Sequence, residues 1–232
     1  AELFRKALKS KPDSAEIHNN LGNSLSELGL PLKAIEHFQR ALDLEPNYVL
    51  ALNNLGGALT QAGRALEAIE ILRQALQLNA NYAEAHNNLG NALIDVGESD
   101  AAIDQYRQAL ELKPGQPLFF YNLGVAYDGQ EMFDNAEESY LAALEIEPDY
   151  AGAHYNLGNI YKNEGLLERA QHHYEKTLTT NPEHAPAHNN LGIVLSDLEI
   201  YEGAERNFRQ AIELDENFAD AHMNLATLLR DR

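Results

Sequence analysis

AEAHNNLGNALIDVGESDAAIDQYRQALELKPGQ, residues 83–116, contains two runs of apolar residues at three- and four-residue spacing, separated by Gly97. That spacing predicts two helices, and the glycine predicts the left-handed residue that closes the first of them. Pro114 stands just past the second run, where no helical amide is needed. The stretch reads as a helix, a tight turn and a second helix.

The same phrase extends in both directions. Asn-Leu-Gly stands at 20–22, 54–56, 88–90, 122–124, 156–158 and 190–192, always 34 residues apart, and Asn224-Leu225-Ala226 keeps the register. Numbered from Ala15, the complete units are 15–48, 49–82, 83–116, 117–150, 151–184 and 185–218. Residues 1–14 match the second helix of a preceding repeat, and 219–232 match the first helix of a seventh. Glycine separates the two runs in four of the six units, at Gly29, Gly63, Gly97 and Gly165, while Glu131 takes that place in the fourth. Small residues recur where two helices must approach closely: Gly22 and its equivalents in the first helix, Ala34 and its equivalents in the second. Larger partners, Phe38, Leu72, Tyr106, Tyr140, Tyr174 and Phe208, fill the space so left.

With period, Leu-Gly pair, aromatic, alanine and proline all at fixed offsets, the chain resembles the tetratricopeptide repeat family over its whole length. The resemblance implies an all-α fold, a right-handed superhelical solenoid of antiparallel helix pairs. One departure is regular. The family's first-helix tryptophan is replaced by His18, His86, His154, His188 and His222, with Leu52 and Phe120 completing the set. These histidines are expected to pack in the core. The phrase Ala-His-Asn-Asn-Leu-Gly is similar to the repeats that precede the catalytic domain of O-linked N-acetylglucosamine transferases and their bacterial relatives.

In this family the first helices line the concave side, so ligand-facing residues are sought there. Position 6 of every unit is asparagine: Asn20, Asn54, Asn88, Asn122, Asn156, Asn190 and Asn224. A carboxamide can bond both the amide and the carbonyl of an extended peptide, so a row of them can read backbone whatever its sequence. The transferase repeats are similar in carrying such an asparagine ladder. The alternative is a structural role between repeats. Asn19, Asn53, Asn87 and Asn189 at position 5 add a density of amides that a folding requirement alone does not obviously demand.

Specificity is expected from the positions that vary around the row. Glu16, Glu84 and Asp220 at position 2, with Glu27, Asp95, Asp197 and Asp231 at position 13, make the walls acidic and favour a segment bearing Lys or Arg. Tyr121 and Tyr155 offer an aromatic pocket for a ligand side chain, or else pack on a neighbouring helix. No Lys or Arg occupies positions 2, 5, 6 or 9 of a complete repeat, which disfavours a clamp for a partner's C-terminal carboxylate.

Composition narrows the remaining functions. A formal charge of −19 repels phosphate backbones and anionic headgroups, so nucleic acid is not an expected partner. The sequence has no cysteine, no basic-then-apolar leader and no apolar run long enough to span a membrane, and cytoplasm is the default location. Five of the nine histidines recur once per repeat, too far apart to share an ion, so no metal and no cofactor are expected. Phosphate-binding loops, serine elbows and zincin motifs are also missing, and no catalytic residue is assigned. Three functional readings stand: a module that binds a protein or extended peptide, a scaffold that self-associates end to end, and substrate-recognition repeats of a glycosyltransferase.

Overall fold

The computed structural model describes residues 1–231, with side chains as far as Arg230, so Asp231 of the acidic set lies outside the described side chains. Among the described residues every regular element is a helix. The helices are α1 (Glu2–Ser10), α2 (Ala15–Glu27), α3 (Pro31–Leu44), α4 (Val49–Gln61), α5 (Ala65–Leu78), α6 (Ala83–Asp95) and α7 (Ser99–Leu112). They continue as α8 (Pro117–Asp128), α9 (Phe133–Ile146), α10 (Ala151–Asn163), α11 (Leu167–Thr180), α12 (Ala185–Asp197), α13 (Tyr201–Leu214) and α14 (Ala219–Asp231). The chain forms two compact units, Ala1–Ala126 and Tyr127 onward.

Each turn from a first to a second helix closes the same way. The amide two residues past the cap reaches back to a carbonyl in the last helical turn, as in Leu30 N to Leu25 O, Glu98 N to Leu93 O and Ile200 N to Leu195 O, at 2.8–2.9 Å. This Schellman bond needs a left-handed residue inside it. Gly97 supplies one at φ 81°, but Glu131 and Glu199 adopt the same region at 59° and 62°. The pull of closing the turn therefore overrides the Cβ penalty that makes glycine the usual choice.

Within a hairpin the small-to-large pairing is tight. A Cβ built on Gly90 would lie 2.6 Å from the Tyr106 ring, and one on Gly158 would lie equally close to Tyr174. Between hairpins, alanines let the second helix meet the next first helix, as where Ala15, Ala41 and Ala51 form a buried cluster with Leu42, Leu44 and Tyr48 packed on it.

Candidate functional site

In the first unit α2 touches α4 and α4 touches α6, and in the second α10 touches α12 and α12 touches α14. Successive second helices make no comparable contact. Each stack therefore curves with its first helices inside, and the inner stripe carries positions 2, 5, 6, 9 and 13.

The position-6 asparagines lie on this stripe, all half-buried. Six of the seven carboxamides are already engaged, and that of Asn20 makes no hydrogen bond among the described residues. Asn54 Nδ2 donates to Asn19 Oδ1 at 2.9 Å, Asn88 to Asn53 at 2.9 Å, and Asn122 to Asn87 at 2.8 Å. In the second unit Asn224 donates to Asn189 at 2.9 Å, Asn156 to the Tyr140 hydroxyl at 3.0 Å, and Asn190 to Asn159 Oδ1 at 3.0 Å. The position-5 asparagines are thus buried acceptors of an inter-repeat bond and not extra ligand-facing amides. Their density has a folding reason after all, since a buried carbonyl oxygen must find a donor. Asn19 is fully buried and its own Nδ2 finds no acceptor.

Each clamp uses one N–H of a two-donor, one-acceptor group. The Oδ1 atoms of Asn88, Asn122, Asn156 and Asn224 take no hydrogen bond from the described residues, and each side chain reaches solvent. What the stripe presents is a set of carboxamides fixed in orientation by their inner N–H, with an acceptor and a second donor left open.

The histidines do not behave as core-filling aromatics. His18, His86 and His188 are half-buried, His222 is exposed and only His154 is buried. Each sets Nε2 at 2.9–3.1 Å from a carbonyl six residues upstream, in the loop that enters its helix. A carbonyl only accepts, so Nε2 carries the proton. Nδ1 then faces the second helix of the same hairpin: the rings of His37 and His173, whose Nδ1–H can donate to it, and the side-chain amides of Gln105 and Asn207, which set an oxygen against it. An indole has one N–H and could make only the first contact, which is why histidine here works as a polar strut. His18 and His37 meet Nδ1 to Nδ1 at 3.0 Å with ring centres 5.3 Å apart, the separation that two ring radii add to an in-line N–H···N bond. Lone pairs converging on one metal ion would bring the ring centres off that line.

The acidic positions divide. Glu16, Glu27, Asp95, Asp197 and Asp220 are exposed, and none of them is in an ion pair among the described residues. Glu84 is held by Lys113 at 2.6 Å. Burial pushes its carboxyl up, but the Lys113 bond, a backbone amide and the lysine charge outweigh that and leave it below the ordinary range. Tyr155 is no open pocket wall: its ring centre lies 4.6 Å from His184 and 6.1 Å from Tyr174. Tyr121 is half-buried on α8 in the first unit.

Tetratricopeptide repeat models match residues 13–80, 151–184 and 185–218, and a further TPR repeat model matches 90–131 and 130–165. The chain belongs to the tetratricopeptide repeat family. Among solved structures, MamA is 30% identical over 71% of this chain and 96% of its own, with a TM-score of 0.60. The APC/C hetero-tetramer Cut9-Hcn1 is similar over 97% of this chain at a TM-score of 0.86 and 18% identity. The present chain spans 45% of that neighbour's length. YrrB, described as a TPR protein with an unusual peptide-binding site, is 23% identical over 80% of this chain and 96% of its own, at a TM-score of 0.63. At such identities the last two show the fold. No curated protein matches.

This TPR chain also carries asparagines that sequence reasoning passed over. Asn91 and Asn159 at position 9 accept from the buried hydroxyls of Tyr106 at 2.7 Å and Tyr174 at 2.8 Å. The signal in the sequence is partial: Tyr106 and Tyr174 at position 24 coincide with Asn91 and Asn159 at position 9, but Tyr140 coincides with Val125 and Asn23 with Phe38. Among the described residues no helix is long and apolar enough to cross a membrane, and no three His, Asp or Glu side chains converge as a metal site.

Proposed function

We propose that this TPR protein is a non-catalytic interaction module that binds an extended segment of a partner protein along the inner stripe of each unit. The observation that carries the reading is the half-exposed position-6 carboxamide with one N–H anchored and its oxygen open, as at Asn88 and Asn122. A donor and an acceptor held in fixed orientation suit a peptide backbone, and the fixing lowers the ordering cost of binding. Each such contact contributes only about 0.5–1.5 kcal/mol, so affinity accumulates along the segment. The exposed carboxylates of Glu16, Glu27 and Asp95 in the first unit favour a segment with Lys or Arg, and Asp197 and Asp220 do so in the second.

The test is binding of a random peptide library to the wild-type chain and to an Asn54→Ala, Asn88→Ala, Asn122→Ala variant, with folding checked by circular dichroism. Loss of binding across many peptide sequences in a folded variant supports backbone reading by these carboxamides. Unchanged binding, or none to the wild type, leaves the asparagines as inter-repeat clamps alone.

A further inference from the structure

Among the described residues of the unit from Tyr127 onward, nine large hydrophobic side chains are exposed, and five of them, Met132, Phe133, Leu166, Ile200 and Tyr201, sit at the turns between first and second helices. The loops at the opposite edge, 147–150, 181–184 and 215–218, hold none of the nine. The apolar surface is therefore concentrated along one edge of this stack. Five exposed apolar positions on three consecutive turns form a row, unlike the singly scattered apolar residues normal to a surface.

The turns adjoin one another. Phe133, at the start of α9, joins Ile160, Asn163 and Glu164, at the end of α10, around a cavity of about 140 Å³. That space accommodates one aliphatic or aromatic side chain. Further along, α10 packs beside α12, which sets the second and third turns alongside each other.

The edge is acidic as well, as is the opposite one, where 147–150, 181–184 and 215–218 carry five carboxylates and no Lys or Arg. Segments 127–134, 162–169 and 197–202 carry eight carboxylates and two cations, against 36 and 17 in the whole chain. One cation, Arg169, is stacked over the Tyr161 ring at 5.5 Å. Glu131 and Glu199 hold carboxylates at backbone positions of positive φ that penalise any side chain, where glycine stands in Gly165. Strain retained at an exposed charged residue points to a use for that charge.

We propose that this edge is a second docking surface, separate from the inner stripe, for a basic amphipathic segment of a partner protein. The segment seats an apolar side chain in the cavity beside Phe133 and sets Lys or Arg against Glu131, Glu164 and Glu199. The charge excess selects a basic occupant, and the apolar row selects an amphipathic one over a purely polar one.

The experiment uses the full chain and three labelled synthetic peptides: an amphipathic Leu/Lys peptide, a Leu/Glu peptide of the same pattern and a polar Ser/Lys peptide. The Leu/Lys peptide is expected to bind and the other two to bind at least about tenfold more weakly. Phe133→Ser is expected to weaken Leu/Lys binding roughly ten- to a hundredfold, the loss of one apolar anchor. Glu131→Gly with Glu199→Gly relieves the backbone, so its folding is not in question, and it too is expected to weaken binding. Both basic peptides can also contact the inner stripe, so the readout is the preference for Leu/Lys over Ser/Lys, which Asn156→Ala with Asn190→Ala is expected to leave unchanged. A preference that survives both edge variants, or that is lost in the asparagine variant, overturns the proposal. So does sedimentation showing that copies of the chain associate through Phe133, since the occupant would then be a second copy.

Discussion

Asn88 Nδ2 donates to Asn53 Oδ1 at 2.9 Å, a bond between residues 35 apart that ties the first helix of one hairpin to that of the one before. The offset repeats at Asn54 with Asn19, Asn122 with Asn87 and Asn224 with Asn189. A carboxamide is suited to both tasks because its two N–H groups diverge, one turned into the stack and the other with the oxygen toward solvent. The inter-repeat bond therefore leaves the outer N–H and, at Asn88 and Asn122, the oxygen open for the recognition proposed above.

The two tasks separate by mutation. Asn53→Ala removes the acceptor and leaves Asn88 without its inner partner, so stability should fall by about 1–3 kcal/mol in urea denaturation. Asn88→Ala should also destabilise, and the double variant should cost less than the sum of the two, with a coupling of about 0.5–1.5 kcal/mol. Additive losses would show that the bond contributes nothing of its own.

The hairpins were legible because every rule behind them is local: apolar spacing, a left-handed cap and a proline stop act over a few residues and repeat in phase. The Asn53–Asn88 bond was not, because its partners lie a full repeat apart and neither residue type names its partner. The position-4 histidines were misread for a related reason. The slot is defined by tryptophan in other sequences, and only three-dimensional structure shows that His86 places its two nitrogens at 3.0 Å from Ala80 O and 2.8 Å from Gln105. Glu131 was visible as an exception in the sequence, but the left-handed backbone that makes it costly was not.

Replacing that residue gives a stabilising prediction. Glu131→Gly and Glu199→Gly each remove the left-handed penalty of roughly 1–2 kcal/mol and incur the backbone entropy of glycine, about 0.5–1 kcal/mol. A net gain of up to about 1.5 kcal/mol per site is expected in thermal or urea melts. Gly97→Ala, at φ 81°, should move the same way in reverse. Equal stability of the glutamate and glycine forms would show that the turn relaxes around the side chain.

Close approach makes Gly158 the opposite case. A Cβ there falls 2.6 Å from the Tyr174 ring, and that ring is fixed by its hydroxyl bond to Asn159 at 2.8 Å. Gly158→Ala should cost about 1–3 kcal/mol through overpacking, despite alanine's better helix propensity. A stabilised Gly158→Ala would mean that the ring can swing clear, and a shifted Tyr174 ring resonance in the folded variant would report it.

Acid should loosen the hairpin of α10 and α11 in particular. His154 and His173 meet Nδ1 to Nδ1 at 2.9 Å, and His154 Nε2 is bound to Pro148 O. Burial, then the charges of His154, His172 and Arg169, pull the His173 imidazole down to about 4, while burial is the main cause that lowers His154. Both groups are therefore neutral when folded at neutral pH, and the folded form binds protons less readily than the unfolded one. The sign follows: this contribution to stability is complete above the ordinary histidine pKa, near 6.5, and is lost as pH falls toward 4. His173→Gln places at this site the residue type that faces His86 in α7 as Gln105, at 2.8 Å, so the strut is kept and the titration removed. Melting temperatures measured from neutral pH down to the acid range should fall less steeply for His173→Gln than for wild type between those two limits. Parallel profiles would assign the acid sensitivity to the carboxylates alone.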